Sequence, residues 1–120
     1  MIKLLIVDDE PLVQIGIKSM LRWDELGIEV CGTAMNGKAA LEMIRQYRPD
    51  IVITDIKMPG MGGLELASHI SKLYPETGVI LLSAYSDFEY AQKAIRCGIF
   101  NYVLKNTFVK DLPPAITSAI

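Results

Sequence analysis

The chain has 120 residues, 51 % hydrophobic and 22 % charged, proportions that fit one globular domain able to bury a full core. With 12 basic against 14 acidic residues, a net charge of −2 and no block of either sign, it lacks a cationic surface for nucleic acid, so any DNA contact needs another domain. No apolar run approaches the roughly 18 residues of a membrane helix, and no signal-peptide pattern precedes the first strand; with Cys31 and Cys97 far apart in apolar contexts, this predicts free thiols in a reducing cytoplasm.

A first strand is predicted over Lys3–Val7, ending in Asp8-Asp9. Pro11 then opens a helix whose apolar stripe is Leu12, Val13, Gly16, Ile17, Met20 and Leu21. Trp23 is expected to pack over the end of that helix. The more mixed run Glu29–Ala34 suits an edge strand, and Asn36 is placed to cap a second helix carrying Ala40, Leu41, Ile44 and Tyr47. The apolar run Ile51–Asp55 is followed by Ile56-Lys57-Met58-Pro59-Gly60 and by a third helix with Leu64, Ala67, Ile70 and Tyr74. His69 beside that stripe reads as exposed and uninvolved. Val79–Ser83 is the fourth strand; the capping pattern Ser86-Asp87-Phe88-Glu89 opens a helix with Phe88, Ala91, Ala94 and Ile95 that ends before Gly98. Asn101–Leu104 is the fifth strand, and Leu112, Ala115, Ile116, Ala119 and Ile120 begin a fifth helix that tolerates Pro113 and Pro114 only in its first turn.

Strand–helix alternation repeated five times predicts an α/β fold, a five-stranded parallel sheet with helices on both faces. The nearly all-apolar first, third and fourth strands agree, since a strand covered on both sides has no polar face. Right-handed crossovers make 2-1-3-4-5 the expected order, with ligands bound where winding reverses, at the carboxyl ends of strands one and three. Those are the strands that end in Asp8-Asp9 and Asp55. Residues 1–120 read as one domain without repeat or linker, and the last helix is still amphipathic where the sequence stops, so a longer protein is expected.

Carboxylates gathered at one sheet edge repel one another and lose hydration unless a cation joins them. Mg²⁺, which favours near-octahedral oxygen and keeps several waters, fits one or two carboxylates and a main-chain carbonyl. Asp9 and Asp55 are the expected direct ligands, Asp8 ligates or holds a metal-bound water, and the carbonyl of Lys57 supplies a further oxygen. A carboxylate can also attack phosphorus to give an acyl phosphate. Asp55 is the central candidate, with Lys105 as a point charge and Ser83 as a hydroxyl donor to the incoming phosphoryl group. Each residue alone has a plainer reading: an acid pair at a helix N-terminus, a turn aspartate before Pro59-Gly60, a solvated lysine, a hydroxyl bonding its own backbone. Their convergence at one edge carries the argument.

In the order Asp8-Asp9, Asp55 through Gly60, Ser83-Ala84 and Tyr102-Val103-Leu104-Lys105, the chain resembles the receiver domain of bacterial two-component response regulators over essentially its whole length. The stretches 23–27 and 86–91 look most like receivers attached to AraC-type helix-turn-helix outputs. The resemblance implies a flavodoxin-like (βα)5 domain in which Asp55 takes a phosphoryl group from a sensor histidine kinase with Mg²⁺. It implies a switch made of Ser83 and Tyr102 and a readout face on the fourth helix, fifth strand and fifth helix, often a homodimer surface, here drawing on Tyr85, Phe88, Tyr90 and Lys93. Lys57 and Tyr85, each two residues past a site residue, occupy positions that tune dephosphorylation in the family. Of the six methionines most read as core filling, with Met35 and Met61 the two that the sequence allows to be exposed near the site. Such a domain is a phosphoacceptor rather than an enzyme, and it controls transcription through an output domain outside these residues.

One position departs from the family pattern: Asn106 follows Lys105 where proline is usual. A cis bond before a non-proline residue costs about 2.5–4 kcal/mol, so a trans bond is expected. Three other functions compete. A phosphohydrolase with an aspartyl-phosphate intermediate needs a second aspartate two past the nucleophile, where this chain has Lys57. A flavodoxin-like cofactor binder is disfavoured by the acidic, glycine-free loop Asp8-Asp9-Glu10-Pro11. A pseudo-receiver that only binds partners is the runner-up.

Overall fold

The computed structural model describes residues 2–20, 23–56, 58, 60–83 and 101–104, giving the backbone alone for Met20, Ser83 and residues 101–104. In chain order the elements are β1 (Ile2–Val7), α1 (Pro11–Met20), β2 (Ile28–Ala34), α2 (Gly37–Tyr47), β3 (Ile51–Asp55), α3 (Gly63–Leu73), β4 (Gly78–Ser83) and β5 (Asn101–Leu104). All pairings are parallel and the sheet order is β2-β1-β3-β4-β5, as the alternating pattern predicts. The expected fourth and fifth helices, like Cys97 and Asn106, lie outside the described residues.

Period-two alternation divides the strand side chains between two cores. Leu5, Val7, Val52, Val79 and Leu81 pack with Ala40 and Ile44 of α2 and Leu66, Ala67 and Ile70 of α3. Leu4, Ile6, Ile51, Ile53, Ile80 and Leu82 face the other way, toward Ile17 of α1, Trp23 and Ile28. Helices therefore cover both faces, and the central strands have no polar side because neither face meets water.

Capping fixes where α2 begins and ends. Asn36 accepts a hydrogen bond from the Ala39 N–H at 2.8 Å, satisfying a donor that the first turn leaves without an intrahelical partner. Arg48 closes the helix in the left-handed region at φ 51°, its N–H donating to the Ile44 carbonyl. Trp23 is buried at the end of α1, as expected, and its indole N–H donates to the Ile17 carbonyl at 3.1 Å.

Several side chains sit differently from the sequence pattern. Leu12, placed on the inward stripe of α1, is 82 % exposed. The inward line runs through Val13 and Ile17, one turn apart, whereas Leu12 and the likewise exposed Ile15 are three apart on the outward flank. Tyr47, the last residue of α2, is exposed as well, and His69 is half-buried rather than exposed because it lies beside the inward-facing Ile70. The mixed character of β2 has a structural cause. The register with β1 jumps from Leu4–Val30 to Leu5–Gly32, leaving Cys31 as an extra residue in a bulge. Cys31 is a free thiol, half-buried, and burial pushes its ionisation upward.

Candidate functional site

The register sets the height of each acid. Val7 of β1 lies opposite Thr54 of β3, so Asp8 and Asp55 follow side by side at the same edge. Asp55 pairs with Leu82, one residue before the end of β4, and Ser83 pairs with Leu104 at the end of β5. The backbone thus brings Asp8, Asp55, Ser83 and the last residue before Lys105 to one rim. Tyr102 pairs with Leu81 two residues earlier on the same strands.

Asp8 is fully buried and Asp55 is 3 % exposed, Asp9 is half-buried and Glu10 is exposed. One carboxylate oxygen from each of these four residues lies within 4.8 Å of those of the other three. At such separations each pair of full charges repels by roughly 3–4 kcal/mol at an effective dielectric constant near 20. That exceeds what a surface ion pair returns, so positive charge placed among the acids would stabilise the cluster. The donors are all carboxylate oxygens, with no imidazole or thiolate, which suits a small hard divalent ion over a softer metal.

The loop that carries the acids is held in place by its own backbone. The Asp8 N–H donates to the Ala34 carbonyl at 3.0 Å, extending the β1–β2 ladder by one residue. The Glu10 N–H donates to Oδ1 of Asp8 at 2.9 Å, a local turn that fixes this side chain. On the other side, α3 is pressed against the end of β3. The Gly63 N–H donates to the Ile56 carbonyl at 2.8 Å, and a Cβ on Gly63 would overlap the main-chain carbonyl of Asp55. Glycine at 63 is therefore a condition for where Asp55 sits.

Of the residues expected from sequence, Asp8, Asp9 and Asp55 are brought together. Ser83 and Tyr102 are described through their backbone only. Lys57, Lys105, Tyr85, Phe88, Tyr90 and Lys93 lie outside the described residues. Met35 is exposed at the end of β2, and the main-chain carbonyl of half-buried Met61 accepts from the Gly37 N–H at 3.3 Å. Glu10 was not singled out as a ligand, although its place in an acidic triplet was the available signal. Gln14, which touches the loop from α1, left no signal in the sequence pattern.

Comparison with known proteins adds an independent line. The model of the response regulator receiver domain matches residues 4–117. An uncharacterised transcriptional regulatory protein YesN of Bacillus subtilis is 44 % identical over 105 residues, covering 88 % of this chain and 28 % of that protein. The receiver domain of AraT, a response regulator from Geobacillus stearothermophilus, superposes with a TM-score of 0.91 at 35 % identity, covering 98 % of this chain and 91 % of that one. A two-component transcriptional regulator AraC from Clostridium phytofermentans superposes with a TM-score of 0.87 at 34 % identity, covering 100 % and 92 %. The chain spans 28 % to 41 % of the length of the curated relatives it matches. Among the described residues no helix is long and apolar enough to cross a membrane.

Proposed function

The chain belongs to the response regulator receiver family, and from that premise we propose that Asp55 is its phosphoacceptor, served by a Mg²⁺ site made of Asp8, Asp9 and Asp55. The observation that carries this reading is the crowding of a buried Asp55 with the carboxylates of Asp8 and Asp9. A receiver implies phosphorylation-dependent signalling and control of transcription; the donor here is taken to be a sensor histidine kinase in the cytoplasm.

In the transfer, a carboxylate oxygen of Asp55 attacks phosphorus. The P–N bond to the donor imidazole breaks with its electron pair returning to nitrogen, and a P–O bond forms at Asp55. The bound metal supplies charge neutralisation for the phosphoryl oxygens and the acids around them. Asp9 and Asp55 offer direct oxygens and Asp8 ligates or orients water; the Lys57 carbonyl is the proposed additional donor. Lys105 acts as a fixed positive charge, and the Ser83 hydroxyl donates to a phosphoryl oxygen. Ser83 and Tyr102 then form the switch, a packing element with two arrangements biased by one new dianionic group.

Lys57 stands where a hydrolase of this chemistry would carry an aspartate, so the chain is read as a phosphoacceptor with at most slow turnover. Residues 1–120 are proposed as the receiver unit of a longer transcription regulator, a reading supported by the greater length of its relatives. The readout face, with Tyr85, Phe88, Tyr90 and Lys93, is proposed for homodimer formation and coupling to the output domain, through which DNA would be bound.

The test is to incubate the chain with Mg²⁺ and acetyl phosphate and weigh the intact protein. One added phosphoryl group is expected, absent in Asp55→Asn and absent with a chelator. No adduct on the native chain would favour a receiver that only binds partners, and steady multiple turnover would favour a hydrolase.

A further inference from the structure

Gln14 lies on α1, outside the acidic cluster, yet its side chain is tied to the backbone that carries it. Its Nε2 donates to the main-chain carbonyl of Asp8 at 2.7 Å and to that of Ala34 at 3.0 Å. A carboxamide nitrogen has two hydrogens, so both are used. The Ala34 carbonyl also accepts the Asp8 N–H at 3.0 Å. The exit of β1, the last residue of β2 and the first turn of α1 therefore meet in one knot of three hydrogen bonds.

We infer that Gln14 is a positioning residue for the metal-binding acids, holding the peptide between Asp8 and Asp9 in the orientation that aims Asp9 at the ion. This rests on the Mg²⁺ site proposed above. The Asp8 carbonyl and the Asp9 nitrogen belong to one rigid plane, so fixing the carbonyl fixes the Cα from which the Asp9 side chain leaves. The Asp8 side chain is held separately by the Glu10 N–H. Without Gln14, the Asp8 carbonyl loses this donor and the plane can turn.

The chemistry of an amide suits the task. It must donate to two carbonyl oxygens and carry no charge. A carboxylate at this position would set acceptors against acceptors and add negative charge to an already crowded rim. A cationic side chain would donate, but would also place a competitor for the ion beside the acids. Partners that align metal ligands from behind are commonly worth tenfold or more in metal affinity.

The experiment compares the native chain with Gln14→Met, which keeps the length of the stem and removes both donors, and with Gln14→Glu. Mg²⁺ affinity is measured by calorimetric titration, beside the thermal midpoint and the Mg²⁺ dependence of phosphorylation by acetyl phosphate. The expected result is a Mg²⁺ dissociation constant raised about tenfold in Gln14→Met and further in Gln14→Glu. The Mg²⁺ concentration for half-maximal phosphorylation should rise in step, with the maximal rate at saturating Mg²⁺ falling much less. Faster amide exchange at Asp8 and Glu10 is expected in Gln14→Met without metal. Folded variants that bind Mg²⁺ as tightly as the native chain, with or without a lower thermal midpoint, would overturn the inference and leave the proposed function standing. A native chain that binds no Mg²⁺ would overturn both.

Discussion

The two ends of the parallel sheet use aspartate in opposite ways. At the amino-terminal edge, Asp50 accepts the Lys3 N–H on its carboxylate at 2.8 Å, donates its own N–H to the Lys3 carbonyl at 2.8 Å, and accepts the Gly78 N–H on its carbonyl at 2.9 Å. One residue thus ties together the starts of β1, β3 and β4. Arg48 stacks over the Tyr74 ring 4.8 Å from its centroid, and Thr77 donates to the Pro49 carbonyl, so this edge is closed by neutral or matched contacts. At the carboxyl-terminal edge, Asp8 and Asp55 are buried among like charges. At one edge the carboxylate takes up a backbone N–H from a neighbouring strand; at the other, Asp8 takes up the Glu10 N–H while further carboxylates crowd it, so repulsion accompanies the hydrogen bond. Folded chains concentrate such crowding at functional sites more than elsewhere.

The contrast can be broken or sharpened by substitution. The largest effect is expected from Gly63→Ala, whose new methyl group would drive α3 away from the Asp55 carbonyl. A stability loss of about 3 kcal/mol in urea denaturation is expected, with slower phosphorylation of the folded protein. Asp50→Ala should cost about 1–2 kcal/mol by the same measurement while the phosphoryl adduct forms as in the native chain. Loss of the adduct would mean that the two edges are not independent. Asp55→Asn should act in the other direction. By relieving repulsion it should raise stability in chelator by about 1 kcal/mol, and the gain should shrink when Mg²⁺ is added. A destabilised Asp55→Asn would show that no tension is stored there.

The smallest expected effect concerns pH. Burial raises the Cys31 ionisation, so the folded state holds that proton more tightly than the unfolded chain. This contribution is complete below the ordinary thiol pKa of 9.0 and is lost as pH climbs through the folded value. Denaturant midpoints should therefore fall less steeply above about pH 9 in Cys31→Ala than in the native chain. At neutral pH, Cys31 should alkylate more slowly than a free cysteine, as read by peptide mass.

What was legible in the sequence was local. The runs Leu4–Val7 and Ile51–Thr54 lead directly into aspartates, and parallel topology then puts those ends side by side; Asn36 announced its cap by residue type. What escaped depends on partners distant in the chain. The bulge at Cys31 exists only relative to β1, the Lys3–Asp50 lock spans 47 residues, and Gln14 reaches Ala34 across 20. Leu12 was misplaced because a helix with apolar residues on two flanks does not declare which one the sheet will cover.

The chain's single tryptophan gives these comparisons an intrinsic optical readout. Trp23 is shut away from solvent with its indole bound to the Ile17 carbonyl, at the far end of α1 from the acids. Its emission should shift to the red when that end of the molecule comes apart, so unfolding of the amino-terminal edge can be followed without a dye while chemistry proceeds at the opposite rim.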